Sequence, residues 1–468
     1  MIYDIAVIGA GSGGLSVAAA AAQFGRKVVL FEKGKMGGDC LNYGCVPSKS
    51  LIAAAKHAHA MRTSTRYGVV AVEPEVNFKK VQAYVQSVIS TIEPIDSVER
   101  FEKLGVNVVQ ATAKFRDAKT LEAGGNIYTA KRIVIATGSR ASVPSIHGLA
   151  GVAYLTNETV FENKVLPKHL IIVGGGPIGM ELGQAHRRLG SDVTIIQASN
   201  ALPKDDPELT AVVIDALRGE GVQILEQTEI TKVTKSTAGF SVETVQHGVI
   251  KGSHLLVAAG RTPNVEGLNL EAAGIVYTKH GVTVDAGLRT TQKHIYAIGD
   301  VAGGLQFTHV AGYHAGLVIR NALFRLPVKN RTDVIPWVTY TSPELAHIGM
   351  SEATARKEFG DDIKIIRWPF HDNDRAQTEG ATSGFIKAVV GKRGKILGVS
   401  IVGEGAGELI QTWVLAVSQG LKISSVAGMV APYPTRGEAS RRVGVNYYAG
   451  LATNPYVRKL IQFLDYFG

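Results

Sequence analysis

The sequence predicts an α/β fold in which two Rossmann-like domains precede a C-terminal α+β domain. Two observations predict the first part: a G-x-G-x-x-G motif occurs twice, and each copy stands between an apolar strand-like run and a helix-like run. A third observation predicts the last domain, because strands, hairpin turns and long helices follow residue 335 without a further glycine motif. A chain of 468 residues exceeds one ordinary core, so several domains are expected.

The first motif lies in residues 3–34, whose pattern is strand, turn, helix and strand. Gly9 allows the tight turn, Gly11 lets the backbone approach a pyrophosphate, and Gly14 lets the helix pack on the strand. Glu32 ends the second strand, where a carboxylate suits the 2′-hydroxyl of an adenosine ribose. We therefore predict a dinucleotide site; a turn without a nucleotide is the alternative.

The second motif, in residues 168–199, repeats this pattern with Gly174, Gly176 and Gly179. Gln197 stands where the first copy has its glutamate. A glutamine can hydrogen-bond a ribose hydroxyl and does not repel a 2′-phosphate, yet no arginine follows to clamp one. The third glycine mildly favours NADH, and the choice between NADH and NADPH stays open.

Three further apolar runs end in glycine turns, and each alone predicts only a strand and a turn. The run RIVIATGS contains Thr137 and Gly138, and the run LLVAAGRTPN follows the second nucleotide unit. In IYAIGDVAGG, Asp300 follows a strand and a glycine, where a carboxylate can meet a ligand hydroxyl.

The net charge of +10 is dispersed along the chain, without a Lys/Arg block or a basic-aromatic motif. This pattern favours the steering of anionic small molecules over nucleic-acid binding. We find no clean apolar run of about 18 residues, so no membrane span is predicted. The N-terminal stretch lacks the basic start of a signal peptide.

The only two cysteines, Cys40 and Cys45, lie in the stretch GGDCLNYGCVPSK. Two cysteines cannot form a disulfide framework for this length, and the pair alone cannot complete a four-ligand zinc site. No resident metal is therefore predicted. A compartment that keeps thiols reduced, the cytoplasm, fits best, and a close pair there is usually chemical. A buried structural pair is the alternative.

Five motifs in order, GAGSGG, GGDCLNYGCVPSK, ATGS, GGGPIGMELG and AIGD, resemble the FAD-dependent pyridine nucleotide-disulfide oxidoreductases. This family includes glutathione reductase, dihydrolipoamide dehydrogenase and mercuric reductase. The resemblance implies FAD in the first nucleotide fold and NADH or NADPH in the second. The implied FAD-binding residues are Gly9, Gly11, Gly14, Glu32, Thr137, Gly138 and Asp300, and the implied NAD(P)-binding residues are Gly174, Gly176, Gly179 and Gln197.

The resemblance also implies the domain boundaries and a partner. The FAD-binding domain is expected to be discontinuous, at residues 1–148 and 275–335, with the NAD(P)-binding domain at 149–274 inserted between. Residues 336–468 are expected to form the dimerisation domain of a homodimer, in which the partner chain completes each active site.

By the same resemblance, Cys40 and Cys45 are the redox disulfide: the second cysteine lies against the flavin and the first exchanges with substrate. Both cysteines are expected to start a helix, whose dipole and free N–H groups lower the pKa of a thiolate there. Lys49 stands one helical turn after Cys45 and favours the same thiolate, and the family pairs this lysine with the residue that is Glu181 here. Electrons are expected to pass from nicotinamide through flavin to this pair.

The segment APYPTRGEASRR departs from the disulfide-reducing members, which carry His-Pro-Thr-x-x-Glu near the C-terminus. Tyr433 stands in place of that histidine, whereas Glu438 is kept. A tyrosine with a pKa near 10 is a poor proton shuttle at neutral pH. Mercuric reductases also carry a tyrosine here, but this sequence lacks their C-terminal cysteine pair.

A disulfide-type small substrate is the favoured acceptor, and a soft metal ion or another electrophile such as a quinone is the alternative. A third interpretation, a subunit that merely holds FAD, leaves Cys40, Cys45, Lys49 and Glu181 without a role. The final apolar helical face, residues 457–467, is expected to pack on the dimer rather than on a membrane surface.

Overall fold

The computed structural model describes residues 1–236 and 239–468, which form two compact units. The first unit comprises residues 1–200 and 221–330, and the second comprises residues 201–220 and 331–468. Segment 201–220, which the sequence places inside the NAD(P)-binding domain, therefore groups with the C-terminal residues.

The strands of the first unit are β1 (Ile2–Tyr3), β2 (Ile5–Ile8), β3 (Val28–Phe31), β4 (Val106–Val109), β5 (Ala113–Phe115), β6 (Thr120–Ala123), β7 (Asn126–Ala130), β8 (Ile133–Ile135), β9 (Ser139–Ala141), β10 (His169–Val173), β11 (Asp192–Ile196), β12 (Gln223–Leu225), β13 (Ile230–Ser236), β14 (Gly239–Thr244), β15 (Gly248–Gly252), β16 (His254–Val257), β17 (Arg261–Pro263), β18 (Tyr277–Thr278), β19 (Gly281–Val282) and β20 (Ile295–Ala297). Those of the second unit are β21 (Trp337–Thr339), β22 (Glu344–Gly349), β23 (Lys364–Pro369), β24 (Phe385–Val390) and β25 (Ile396–Gly403).

The helices of the first unit are α1 (Ser12–Gln23), α2 (Gly38–Asn42), α3 (Cys45–Arg62), α4 (Phe78–Asp96), α5 (Val98–Lys103), α6 (Pro177–Arg188) and α8 (Thr308–Phe324). Those of the second unit are α7 (Pro207–Gly219), α9 (Glu352–Phe359), α10 (Asp374–Thr378), α11 (Ala406–Leu409), α12 (Gln411–Ser418), α13 (Ile423–Ala427), α14 (Glu438–Asn446) and α15 (Pro455–Leu464).

Two parallel sheets organise the first unit. One has the strand order β20-β8-β2-β3-β4, and the other has the order β12-β11-β10-β16, with every neighbouring pair parallel. Strands such as β2 and β3 are buried along their whole length, which is typical of parallel sheets covered on both faces. The predicted α/β fold with two Rossmann-like sheets is confirmed.

The second unit is built on one antiparallel sheet with the order β21-β22-β25-β24-β23. Ile386 and Ile401 from this sheet form a core with Trp413 of α12 and Val443 of α14. The α+β class predicted for the C-terminal domain is thereby confirmed.

Helix α7 belongs to this unit because a buried lysine holds its N-terminus. Lys387 of β24 lies 2.7 Å from Asp206, 2.8 Å from Glu208 and 2.7 Å from Glu352, and only 4% of its side chain is exposed. A buried cation is tolerated when several carboxylates surround it, so this cluster joins two helices to the sheet.

Among the residues that the structure describes, no helix combines the length and the apolar content needed to cross a bilayer.

Candidate active site

The first glycine loop joins β2 to α1 and has a shape that only glycine permits. Gly9 has a φ of +104°, and a Cβ added to it would lie 2.4 Å from the carbonyl oxygen of Ala136. A Cβ on Gly14 would lie 1.9 Å from the carbonyl oxygen of Gly9. At Gly11, by contrast, an added Cβ would meet only Gly38 Cα, at 3.9 Å. The loop is therefore closed against its own sheet and open at Gly11, which fits the approach of a pyrophosphate to a helix N-terminus.

The second glycine loop, between β10 and α6, repeats this geometry. Gly174 has a φ of +115°, and its added Cβ would lie 2.3 Å from the carbonyl oxygen of Ala258. A Cβ on Gly179 would lie 2.0 Å from Gly174 O, whereas one on Gly176 would meet nothing within 4 Å. Both loops thus fit the diphosphate of a dinucleotide.

In each glycine loop, the side chain that follows the next strand accepts hydrogen bonds from the loop backbone. Glu32 accepts hydrogen bonds from the backbone N–H groups of Ala10 and Gly34, each at 2.7 Å. Gln197 accepts one from the N–H of Gly175 at 2.7 Å. The structure therefore gives both residues a loop-holding role, and their contact with a ribose remains a prediction.

Asp300 follows β20 at the edge of the first parallel sheet, and the hydroxyl of Ser139 donates a hydrogen bond to it. Burial raises the pKa of Asp300, with the Ser139 hydrogen bond and the charge of Arg261 opposing that rise. Nearby, Thr137 donates to the carbonyl oxygen of Asn264 at 2.8 Å. Gly138, with a φ of +66°, accepts from the N–H of Asn264 at 2.9 Å. The structure thus assembles the predicted strand ends into one cluster.

The two cysteines do not share a helix, which corrects the expectation that both start one. Cys45 is the first residue of α3, whereas Cys40 lies in the short helix α2. Gly44 separates the two helices because its φ of −123° and ψ of −108° are not helical. Both side chains are thiols; Cys40 is half-buried and Cys45 is exposed.

The surroundings of Cys45 favour its thiolate. A hydrogen bond from Cys40 is the largest cause, and with Thr308 and Lys49 it lowers the pKa of Cys45 to about 6, against partial desolvation of the sulfur and the charge of Asp39. The Thr308 hydroxyl, at the start of α8, lies 3.3 Å from Cys45 Sγ. The same hydrogen bond, burial and the charge on Cys45 raise the pKa of Cys40. The pair is therefore polarised into one thiolate and one thiol.

Lys49 and Glu181 lie together, as the resemblance implies. Lys49 Nζ is 2.8 Å from Glu181 Oε2, and the glutamate side chain is only 6% exposed whereas the lysine side chain is 38% exposed. The contact joins α3, which carries Cys45, to α6, which follows the second glycine loop. One cation is thus held beside the cysteine thiolate by a buried carboxylate.

In the second unit, Tyr433 donates a hydrogen bond to Asp374 Oδ2 at 2.9 Å and is 69% exposed. This hydrogen bond and the charge of Asp374 raise the pKa of Tyr433 above its usual value near 10. Glu438 accepts a hydrogen bond from Arg442 at 2.9 Å. Tyr433 and Glu438 line one surface cavity of about 260 Å³ together with Arg441.

Sequence reasoning missed several residues of these clusters. No local pattern marks Thr308, which is the first residue of α8, after the N-cap residue Phe307. Asp39 lies inside the cysteine motif, but the sequence does not show which side chains it contacts. Ser139, Arg261 and Asp374 meet their partners only through the fold, and no local pattern marks them.

Comparison with known proteins identifies the family. Residues 3–315 match the pyridine nucleotide-disulphide oxidoreductase family, and residues 335–443 match its dimerisation domain. A mercuric reductase of Lysinibacillus sphaericus is 36% identical over 451 residues, which are 95% of this chain and 82% of that protein. A dihydrolipoyl dehydrogenase of Thermus scotoductus is 36% identical over 452 residues, 93% and 95% of the two chains.

Solved structures agree with this result. The Cu(II) complex of the HOCl-induced flavoprotein disulfide reductase RclA from Escherichia coli has a TM-score of 0.85 and 27% identity, covering 94% of this chain and 99% of that one. LpdA from Mycobacterium tuberculosis has a TM-score of 0.88 and 25% identity, covering 95% and 100%.

The resemblance drawn from the five motifs is therefore confirmed, as are FAD and NAD(P)H as cofactors. The matched dimerisation domain supports a homodimer. This chain belongs to the pyridine nucleotide-disulphide oxidoreductase family and is an FAD-dependent NAD(P)H oxidoreductase.

Proposed function

We propose that this enzyme uses NAD(P)H to reduce a soft metal ion bound at Cys40 and Cys45. When bound, FAD would supply the two-electron chemistry between NAD(P)H and the cysteine pair. The first glycine loop, Asp300 and the Thr137 turn would hold FAD, and the second glycine loop would hold NAD(P)H. The cysteine pair would bind the acceptor.

The polarised cysteine pair supports this assignment. With a pKa of about 6, Cys45 is largely a thiolate at neutral pH, and Cys40 keeps its proton until an acceptor arrives. Thiolate sulfur is the ligand that soft metal ions prefer. Glu181 holds Lys49 in place, so the positive charge of Lys49 stabilises the Cys45 thiolate before an acceptor binds and after it leaves.

The observation that carries the choice of a metal ion is the Tyr433–Asp374 hydrogen bond. A dithiol that reduces a disulfide needs a group that takes and returns protons near neutral pH. Tyr433 cannot do this, because its pKa is raised above the usual value. A metal ion bound by both sulfurs displaces the Cys40 proton to solvent and needs no proton returned to a product, so it requires no such shuttle. The mercuric reductases among the relatives act on a metal by name.

A disulfide-type small substrate is the second candidate. Membership of the family favours it, as does the structural likeness to a flavoprotein disulfide reductase. Glu438, which orients the proton shuttle in disulfide-reducing members, is also present, although here it pairs with Arg442.

We further propose a cytoplasmic homodimer in which the partner chain completes each active site with its Tyr433 segment. The match to the dimerisation domain supports the dimer. The proposed FAD-binding domain at 1–148 and 275–335 is supported by β20, which pairs with β8 in one sheet. The proposed NAD(P)-binding domain is 149–274, and the proposed dimerisation domain is 336–468.

A panel of acceptors tests the proposal. Holoenzyme reduced anaerobically with NADH or NADPH is mixed with Hg(II), Cu(II), lipoamide, glutathione disulfide or a quinone, and NAD(P)H oxidation is followed. We expect turnover with a metal ion and little with the disulfides. Rapid turnover of lipoamide or glutathione disulfide, with none of either metal ion, would contradict the proposal in favour of the second candidate.

The variant Tyr433→His separates a missing proton shuttle from an unsuitable pocket. We expect it to raise disulfide turnover and to leave metal turnover within a factor of about three, since protons limit only the former. Tyr433→Phe is the matched control, because it removes the hydrogen bond to Asp374 without supplying an imidazole.

A further inference from the structure

Two side chains make polar contacts with Asp39, the residue before Cys40. Arg261 Nη2 lies 3.2 Å from Asp39 Oδ2, and Asn157 Nδ2 donates to Asp39 Oδ1 at 3.0 Å. The Arg261 side chain is 14% exposed, and Asn157 is 6% exposed. Each carboxylate oxygen therefore has a partner that is largely removed from water, where charge-assisted hydrogen bonds are strong.

The same arginine reaches the proposed FAD site. Arg261 Nε donates to the hydroxyl of Ser139 at 2.7 Å, and that hydroxyl in turn donates to Asp300. Arg261 Nη2 donates to the carbonyl oxygen of Ser139 at 3.1 Å, and Nε lies 3.6 Å from Asp300 Oδ2. One guanidinium thus links Asp39 of the cysteine segment to Asp300 at the end of β20.

This link adds a polar restraint to a weak helix, whose Leu41 is buried and whose preceding residue, Gly37, donates its N–H to the carbonyl oxygen of Ala10 at 3.0 Å. Helix α2 has five residues, too few to be stable without tertiary contacts, and its N-cap, Gly37, offers no side-chain hydrogen bond. Asn42 bonds only to carbonyl groups of the same segment, those of Met36 and Gly38. Asp39 is the residue of α2 that the structure joins by charge to another element.

We propose that Asp39 and Arg261 are positioning residues, which fix α2, and with it Cys40, to the strand ends of the proposed FAD site. This inference rests on the proposed redox role of the cysteine pair, but not on the identity of the acceptor. Cys40 must open toward an acceptor and return to Cys45 in every cycle. A helix anchored at the neighbouring residue lets the thiol move while the backbone stays in place.

The shape of the guanidinium matters to this role as much as its charge. Its planar fork addresses Asp39, the Ser139 hydroxyl and the Ser139 carbonyl at once, whereas a lysine ammonium is a single point charge. Arg261→Lys therefore keeps the charge and breaks the geometry. Asp39→Asn keeps the shape and removes the charge, and it leaves the contacts of Arg261 with Ser139 and Asp300 in place.

The test uses reduced holoenzyme and measures how fast iodoacetamide labels Cys40 relative to Cys45, by mass spectrometry of the two cysteines after fragmentation. We expect Asp39→Asn and Arg261→Lys each to raise this ratio about tenfold, equivalent to about 1.4 kcal/mol. The double variant should exceed Arg261→Lys by less than about twofold, because Arg261→Lys already breaks the contact with Asp39. Arg331→Lys is the control, since Arg331 binds the exposed Asp333 two positions away.

A second readout is spectroscopic. Both variants should retain FAD and lose part of the long-wavelength absorbance that a thiolate beside oxidised flavin gives on reduction. A labelling ratio within twofold of the parent enzyme in both variants would overturn the inference. Loss of FAD in Arg261→Lys, with Asp39→Asn unchanged, would also overturn it and would make Arg261 a flavin-retaining residue. If the parent enzyme lacks the absorbance but the labelling ratios differ, the redox proposal fails and the restraint on α2 stands.

Discussion

Cys40 and Cys45 have the same chemistry in isolation, and the fold makes them different. Cys45 begins α3 and receives hydrogen bonds from Cys40 and Thr308, with Lys49 adding a positive charge. Cys40 lies in another helix, half-buried, and supplies the proton of their shared hydrogen bond. The positions of the two cysteines in the fold therefore make Cys45 the thiolate and Cys40 the thiol.

This difference gives a pH-dependent prediction for Cys45. Its pKa is lowered to about 6, so the thiolate fraction, and with it the alkylation rate of the reduced enzyme, should rise through pH 6 and level off above it. Lys49→Met removes a cation that favours the thiolate, and the midpoint should move up by about one pH unit. Iodoacetamide rates between pH 5 and 9 measure both midpoints.

Lys131→Met is the control for the lysine change, since Lys131 pairs with Asp4 at the surface. A midpoint that is the same in the Lys49 variant and the parent enzyme would mean that Lys49 does not act on the thiolate.

At the scale of elements, the three glycines of each glycine loop have different roles. Gly9 and Gly14 are required by the fold, because an added Cβ would strike a backbone oxygen. Gly11 and its counterpart Gly176 are not, because a Cβ there has space. The open position is therefore required only by what the loop binds.

We expect Gly176→Ala to fold normally, to retain FAD and to raise the KM for NAD(P)H about tenfold or more, equivalent to roughly 1.4 kcal/mol of lost binding. Gly179→Ala should instead yield little folded protein, since its Cβ would lie 2.0 Å from Gly174 O. Gly151→Ala is the control, because its Cβ would meet nothing within 4 Å. An unchanged KM in Gly176→Ala would refute the binding role of this loop.

The sequence predicted these elements because their signals are local. A buried strand, a glycine turn and a helix occupy about 30 consecutive residues, and the turn geometry demands glycine wherever it occurs. The Asp39–Arg261 contact joins residues more than 200 positions apart, and the Tyr433–Asp374 bond joins residues 59 positions apart. The assignment of segment 201–220 depends on Lys387, whose carboxylate partners come from two distant segments, Asp206 with Glu208 and, separately, Glu352. Such contacts exist only once the fold has formed.

At the scale of the whole molecule, the last helix bears on assembly. Helix α15 and the turn after it expose Leu460, Ile461, Phe463, Leu464 and Phe467, each at more than half of its surface. They follow the matched dimerisation domain, which ends at residue 443. An apolar surface of this kind is typical of an interface, and the sequence predicts that it packs on the dimer.

The variant Leu460→Asp/Phe463→Asp tests this prediction. If the helix packs on the dimer, the substitutions should weaken dimerisation, because they place charges in an apolar contact. Analytical ultracentrifugation over a range of concentrations measures the change, with Gln462→Asp on the polar side of the helix as the control. An unaltered dimer constant would show that the helix has another role, and binding to anionic vesicles would then identify a membrane surface.

We propose that electrons reach the acceptor through a Cys45 thiolate beside the flavin. Anaerobic titration of the holoenzyme with NADH and NADPH, followed by absorbance in the parent enzyme and in Cys45→Ser, tests it most directly. The parent enzyme should develop long-wavelength absorbance after one equivalent of reductant and lose it when Hg(II) is added. Cys45→Ser should retain FAD and never develop that absorbance. Flavin reduction without the absorbance in the parent enzyme, or the same absorbance in Cys45→Ser, would contradict the claim.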